Sequence, residues 1–203
     1  GVPLPAEKLV AALPEIERTL GANAEHFAAF SRAILTTDTR PKMAAAKIEV
    51  EGKTVRVAGV CKGAGMIHPQ LVPHATMLVF LFTDAAITPP DLNTMLRDAV
   101  EVSFNRISID GDTSTNDTVL LLASGASGAA ITAENAAFTA ALKEICTSLA
   151  RQIVAEMSSG GGLITLDDLA GYRAKERRPV RGSYRGYEIL GAPPPNSGAI
   201  ATI

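Results

Sequence analysis

Residues 75–85 read ATMLVFLFTDA, a nearly unbroken apolar run with a hydroxyl at its head. The run does not alternate, which is the pattern of a strand covered on both faces. Met77, Val79 and Leu81 are predicted on one face and Leu78, Phe80 and Phe82 on the other, both buried, in a strand central to its sheet. Upstream, residues 45–63 (AAKIEVEGKTVRVAGVCKG) alternate apolar and polar on both sides of Glu51-Gly52-Lys53, which predicts a hairpin with one face solvated. Downstream, DTVLLLAS at 117–124 predicts a second buried strand.

Helical periods flank these strands. Residues 3–21 carry one that is interrupted at Pro14 and closed by Gly21, and residues 23–36 another that starts at an Asn23 cap. Both are expected to lay one face on the sheet. Residues 89–108 open with prolines at positions a helix tolerates and keep the period through Leu92, Met95, Leu96, Val100 and Phe104. Residues 132–157 form the longest candidate, with a Thr132 cap and an end at the cluster SSGGG. Helices alternating with buried strands predict an α/β fold, a layered mixed sheet with flanking helices. Beyond SSGGG the chain turns richer in Arg, Tyr, Gly and Pro, with a short helix after Thr165 and a strand around Tyr187 to Leu190. A junction near residue 158 is therefore expected, dividing the chain into 1–157 and a short α+β tail, 158–203.

Composition narrows the function. The 203 residues are 47% hydrophobic and 20% charged with net charge −2, a globular profile without the basic stripe that nucleic acid demands. No apolar run approaches the roughly 20 residues of a membrane helix, and the first residues lack the zones of a secretion signal, so a cytoplasmic setting is expected. Cys61 and Cys146 lack paired spacing and read as buried free thiols. His26, His68 and His74 show no metal-ligand spacing, and DGDTSTNDT at 110–118 lacks the later glutamate of a calcium loop.

Three stretches carry chemistry. The glycines of KGAGM, 62–66, allow close approach of backbone to a ligand, and Lys62 can hold a carboxylate. ILTTDTRPK, 34–42, gathers Thr36, Thr37, Asp38 and Thr39 where a helix ends, a pattern that also suits capping and turns. Thr76 follows the small Ala75. A threonine hydroxyl needs a nearby base, and self-cleavage before it would supply one, because the freed α-amine has a reference pKa of about 7.7 to 8.0.

In combination, TTDT, KGAGMIHP, ATML, FTD and DGDTSTNDTVLLLASG follow the order and approximate spacing of the ornithine acetyltransferase (glutamate N-acetyltransferase) family, which residues 1–157 resemble. The resemblance implies the self-processing threonine acetyltransferase type of fold. It implies acetyl transfer from N-acetylornithine to glutamate in arginine biosynthesis, with cleavage between Ala75 and Thr76, Thr76 as nucleophile, and Thr36 and Lys62 contacting substrate. No cofactor is implied, and the partners are these small molecules, with no nucleic acid and no membrane, and with room for a homo-oligomer of processed chains. The loop HPQLVPHAT is about three residues longer than the family pattern, the family's upstream Thr-Gly oxyanion pair has no equivalent, and only Glu156 answers the family's acidic motif after the long helix. Transfer impaired by truncation is the resulting expectation. Residues 161–200 resemble a segment of the γ-glutamyltranspeptidase large subunit upstream of that family's own threonine. A γ-glutamyl transferase or hydrolase, or an inactive chimeric scaffold, is the alternative.

Overall fold

The computed structural model describes residues 5–65, 67, 77–109, 114, 116–159 and 178–191, with backbone alone at 157–159 and 184. The chain divides into two compact units, Gly1–Leu163 and Ile164–Ile203.

The first unit is a mixed α/β layer structure. Its main sheet has the order β1-β2-β3-β5, built from β1 (Lys42–Val50), β2 (Lys53–Lys62), β3 (Leu78–Thr83) and β5 (Thr118–Ala123). β1 and β2 form the expected antiparallel hairpin in which Val50 pairs with Lys53. Its turn places Glu51 at φ 50° and Gly52 at φ 75°, the double left-handed geometry that selects glycine at the second position. β3 pairs antiparallel with β2 and parallel with β5, so the apolar run is central among the described strands. A second pair, β4 (Ala86–Ile87) with β6 (Ala130–Ile131), is parallel and short.

The two faces of β3 are covered differently. Met77, Val79 and Leu81 are fully buried in one core with Phe138, Leu142, Ile145, Leu149 and Ile153 of α4 (Ala136–Ser159), which lies on β1 and β2. α3 (Pro89–Glu101) packs beside α4 through Met95, Ala99 and Val100. On the opposite face, Phe80 and Phe82 are half-buried and meet Phe27 and Phe30 of α2 (Ala24–Ala33) edge to face, with ring centroids 5.3 to 6.5 Å apart.

Several expectations change. The helix expected to keep its period through Phe104 ends at Glu101, and Phe104 opens a separate 3-10 turn, Phe104–Arg106. Leu78, Phe80 and Phe82, expected to be buried, are half-buried. α1 (Ala6–Arg18) runs continuously through Pro14 and buries none of its residues, so its apolar Leu9, Val10, Leu13 and Ile16 stay exposed rather than packing on the sheet. A solvated helix can leave to water the carbonyl that proline deprives of its donor. β5 is an edge strand among the described residues, with Leu120 and Leu122 exposed, because only β3 flanks it. The cap of α4 is Asn135, whose side chain accepts the Phe138 N–H at 2.9 Å, while Thr132 only offers its carbonyl to Asn135. The helix also continues to Ser159, beyond the expected end at 157.

In the second unit, β7 (Val180–Tyr184) and β8 (Tyr187–Gly191) form an antiparallel hairpin turning at Arg185-Gly186. The strand expected at Tyr187 to Leu190 is β8. The helix expected after Thr165 lies outside the described residues.

Candidate functional site

The sheet topology brings several of the motifs to one edge of the first unit. β2 ends at Lys62, β3 begins at Leu78 opposite it, and Thr118 at the start of β5 stands opposite Leu78 on the other side. Lys42 opens β1 against Cys61. KGAGM, the start of the apolar run, the end of DGDTSTNDT and the end of ILTTDTRPK therefore meet at the same end of the sheet. Ala75 and Thr76, as well as His68 and His74, lie outside the described residues; Met77, which follows Thr76 in sequence, is described and buried.

Two carboxylates organise this end. Asp38 accepts the Lys42 ammonium at 2.6 Å and the Gly63 N–H at 2.6 Å, both on Oδ1. The loop that carries Thr36 is thus fastened to the turn that carries Lys62. Gly63 has φ +149°, a conformation that strains other residues, and a Cβ there would stand 2.8 Å from Ile67 Cδ1 and have to displace that side-chain tip. Thr36 itself is exposed and Lys62 half-buried, which leaves both reachable from solvent.

Lys42 is almost wholly buried and pairs also with Glu156 near the end of α4. The other oxygen of Glu156 accepts the Thr39 N–H and, at 2.8 Å, the Thr39 hydroxyl. Gln152, one helical turn earlier, exchanges hydrogen bonds of 3.1 and 3.0 Å with the Met43 backbone. Burial works to raise both carboxyls, but the Lys42 ammonium and the donated N–H groups outweigh it and hold Asp38 and Glu156 below their ordinary values.

Asp117 behaves in the opposite way. Its Oδ1 accepts the Met77 N–H, and Thr118 N–H returns a bond of 2.8 Å to the Met77 carbonyl, so the first residue after Thr76 is tied to STNDT from both sides. Asp117 Oδ2 is buried without a hydrogen-bond partner among the described residues. Burial pushes this carboxyl up to about 7, against the pull of the Lys62 charge.

The structure gives no role to the thiols. Cys61 and Cys146 are free and buried, and burial pushes each up to about 12. Among the described residues no cluster of His, Cys, Asp and Glu could hold a metal ion, and no helix is long and apolar enough to cross a membrane.

The ArgJ family pattern matches residues 1–167, which contain every element just described at this end of the sheet. The chain belongs to the ArgJ family. It is 52% identical over 124 residues to the glutamate N-acetyltransferase of Methanocaldococcus jannaschii, covering 61% of this chain and 31% of that protein. It is 43% identical over 168 residues to the arginine biosynthesis bifunctional protein ArgJ of Lactococcus lactis, covering 81% of this chain and 41% of that protein. With the protein of the same name from Thermosynechococcus vestitus the identity is 45% over 157 residues, 75% of this chain and 36% of the relative. The chain thus spans between about a third and two fifths of the length of these ArgJ relatives. The γ-glutamyltranspeptidase pattern matches residues 146–203, overlapping the ArgJ match within α4 and beyond it.

Sequence reasoning singled out Thr36 and Lys62 but gave Asp38 and Thr39 only a capping role, passed over Lys42, and saw Asp117 only as part of STNDT, which the family resemblance implies is a structural signature near the site. A signal for Lys42 was present: it falls in phase with Ala44, Ala46, Ile48 and Val50, the inward positions of β1. Glu156 likewise continues the buried α4 stripe of Leu142, Leu149 and Ile153. A charge in phase with a buried stripe requires a partner, and each of these two supplies the other's.

Proposed function

We propose that residues 1–157 are an acetyltransferase-type region in which Thr76 acts as nucleophile after cleavage of the Ala75–Thr76 bond, moving acetyl from N-acetylornithine to glutamate in arginine biosynthesis. Residues 158–203 form a separate γ-glutamyltranspeptidase-like segment in this reading. The supporting observation is the hold on Met77: a carboxylate with an ordinary pKa raised to about 7 binds the amide one residue beyond the nucleophile and lies within the field of Lys62. A group of that kind can take up or return a proton near neutral pH, as the shift of an acyl group from nitrogen to oxygen requires. Thr36 and Lys62 are the substrate contacts in this reading, and the exposed Thr36 and half-buried Lys62, joined through Asp38 and Gly63, are consistent with a shared amino-acid pocket. Family membership and the names of the relatives support the reaction class.

The test is intact mass after prolonged incubation of the parent chain and of Thr76→Ala, followed by an acetyl-transfer assay. Fragments beginning at Gly1 and at Thr76, lost in Thr76→Ala, are the expected result. Turnover of a γ-glutamyl donor that survives Thr76→Ala would overturn the assignment, and a chain that stays intact and inert toward both donors would make this a scaffold.

A further inference from the structure

We propose that Asp38 is a positioning residue that sets the distance and direction between Thr36 and Lys62, so that the two can grip one amino-acid ligand. The inference rests on the reading that these two residues contact substrate, and it adds a determinant that touches neither substrate nor reacting atoms.

Asp38 links the two loops directly, atom to atom. One oxygen receives both the Gly63 N–H and the Lys42 ammonium, each at 2.6 Å, and the carboxylate is fully buried. Charge-assisted bonds of this length are the strong and directional kind. Gly63 adjoins Lys62, and Asp38 lies two residues beyond Thr36, so a displacement of the carboxylate moves both ligand-bearing positions at once. The arrangement is braced from behind. Glu156 holds Lys42 and also Thr39, the residue after Asp38, so the residues on both sides of the latch formed by Asp38, Lys42 and Gly63 are tied to α4. Asp38 Oδ2 has no hydrogen-bond partner among the described residues, so the bonds on Oδ1 alone fix the group. The charged and titratable groups around it are Lys42 of β1, Glu156 of α4 and the inert Cys61 thiol of β2.

The experiment measures binding of glutamate and of N-acetylornithine to the full chain by calorimetry, together with thermal unfolding, for the parent, Asp38→Asn and Leu142→Ala. Leu142 is a fully buried α4 residue with no part in the latch, and its truncation reports what loss of stability alone does to binding. At a temperature where all three are folded, Asp38→Asn is expected to bind about tenfold more weakly, the cost of one lost charge-assisted bond in orienting the pocket, with Leu142→Ala unchanged. Equal affinity in the parent and Asp38→Asn, or equal losses in both variants, would overturn the positioning role. A parent that binds neither compound would overturn the substrate reading, and the positioning role with it. Should Asp38→Asn fail to fold, the parent alone decides: the Gly63 amide resonance must shift with pH as Asp38 titrates, below the ordinary carboxylate range, and a Gly63 amide indifferent to that titration would sink the proposal.

Discussion

Asp38 and Asp117 grip neighbouring turns at the same end of one sheet, yet their acidities move in opposite directions. Burial by itself would make a weaker acid of Asp117 and also of Asp38, whose side chain is fully enclosed. It is held low because Lys42 and Gly63 donate to it. Asp117 receives the Met77 N–H on one oxygen, has no partner for the other among the described residues, and rises to about 7. Partners, not depth, set the sign. The difference separates two jobs: a carboxylate locked in its charged form can hold loops in place at any working pH, and one that titrates near neutrality can exchange a proton.

The strongest way to break this contrast is to remove the partner. Lys42→Met keeps the stem of the side chain but leaves two buried carboxylates without their cation. Stripping one member from a buried ionic cluster costs about 3–5 kcal/mol. Denaturant unfolding at neutral pH should show a loss of that size. The pH dependence gives the mechanism. In the parent, folded-state values lie below the unfolded ones, so the stabilisation is present above the ordinary carboxylate range and is lost as pH falls through the lowered values. In the variant the donors from Gly63 and Thr39 still oppose burial but the cation does not, so both carboxyls should rise and the deficit should shrink as acid neutralises them. A deficit independent of pH would show that Lys42 matters by packing alone.

Glu156→Gln removes one charge and leaves Lys42 with Asp38. The amide oxygen can still accept from Thr39, so the expected loss is smaller, about 1.5–3 kcal/mol, the worth of a charge-assisted bond. Amide exchange should quicken at Thr39 while Gly63 stays protected. Faster exchange at Gly63 of the same size would mean that α4, and not Asp38, fixes the glycine turn.

The hairpin, the central strand and α3 were legible because their signals are local: alternation around a glycine turn, a continuous apolar run, prolines at a helix start. The Asn23 cap was legible for the same reason, its side chain accepting the His26 N–H three residues on. Periodicity names a face and not its partner. α1 and α4 are both amphipathic in sequence, yet α4 lies on β1 and β2 and α1 buries nothing. The Thr132 cap was misplaced since Asn135 offers the same chemistry three residues later, a choice only the start of packing against the sheet decides. The latch escaped detection because Thr39 and Glu156 lie 117 positions apart, so no window of sequence contains both. Asp117 was visible as one acid of DGDTSTNDT and as part of the STNDT signature, but its titration near neutrality depends on a burial that no local pattern encodes.

The smallest effect belongs to Asp117→Asn, and it sharpens the contrast by its sign. The folded-state value of Asp117 lies above the unfolded one, so the group contributes most favourably at low pH, and that contribution is lost as pH rises through about 7. Charging it in place then works against folding. Asparagine cannot charge, and its side-chain oxygen can still accept the Met77 N–H. The variant should therefore match the parent in stability near pH 5 and equal or slightly exceed it near pH 8, a shift kept small by the solvent that reaches a half-exposed side chain. Thermal unfolding at the two pH values checks this, and a variant less stable at pH 8 than at pH 5 relative to the parent would place Asp117 with Asp38 as a carboxylate needed in its charged form. The same substitution separates structure from chemistry. With Met77 still held, any cleavage before Thr76 in the parent should lose its dependence on a group titrating near 7, and a cleavage rate with an unchanged pH profile in Asp117→Asn would remove Asp117 from the proton path.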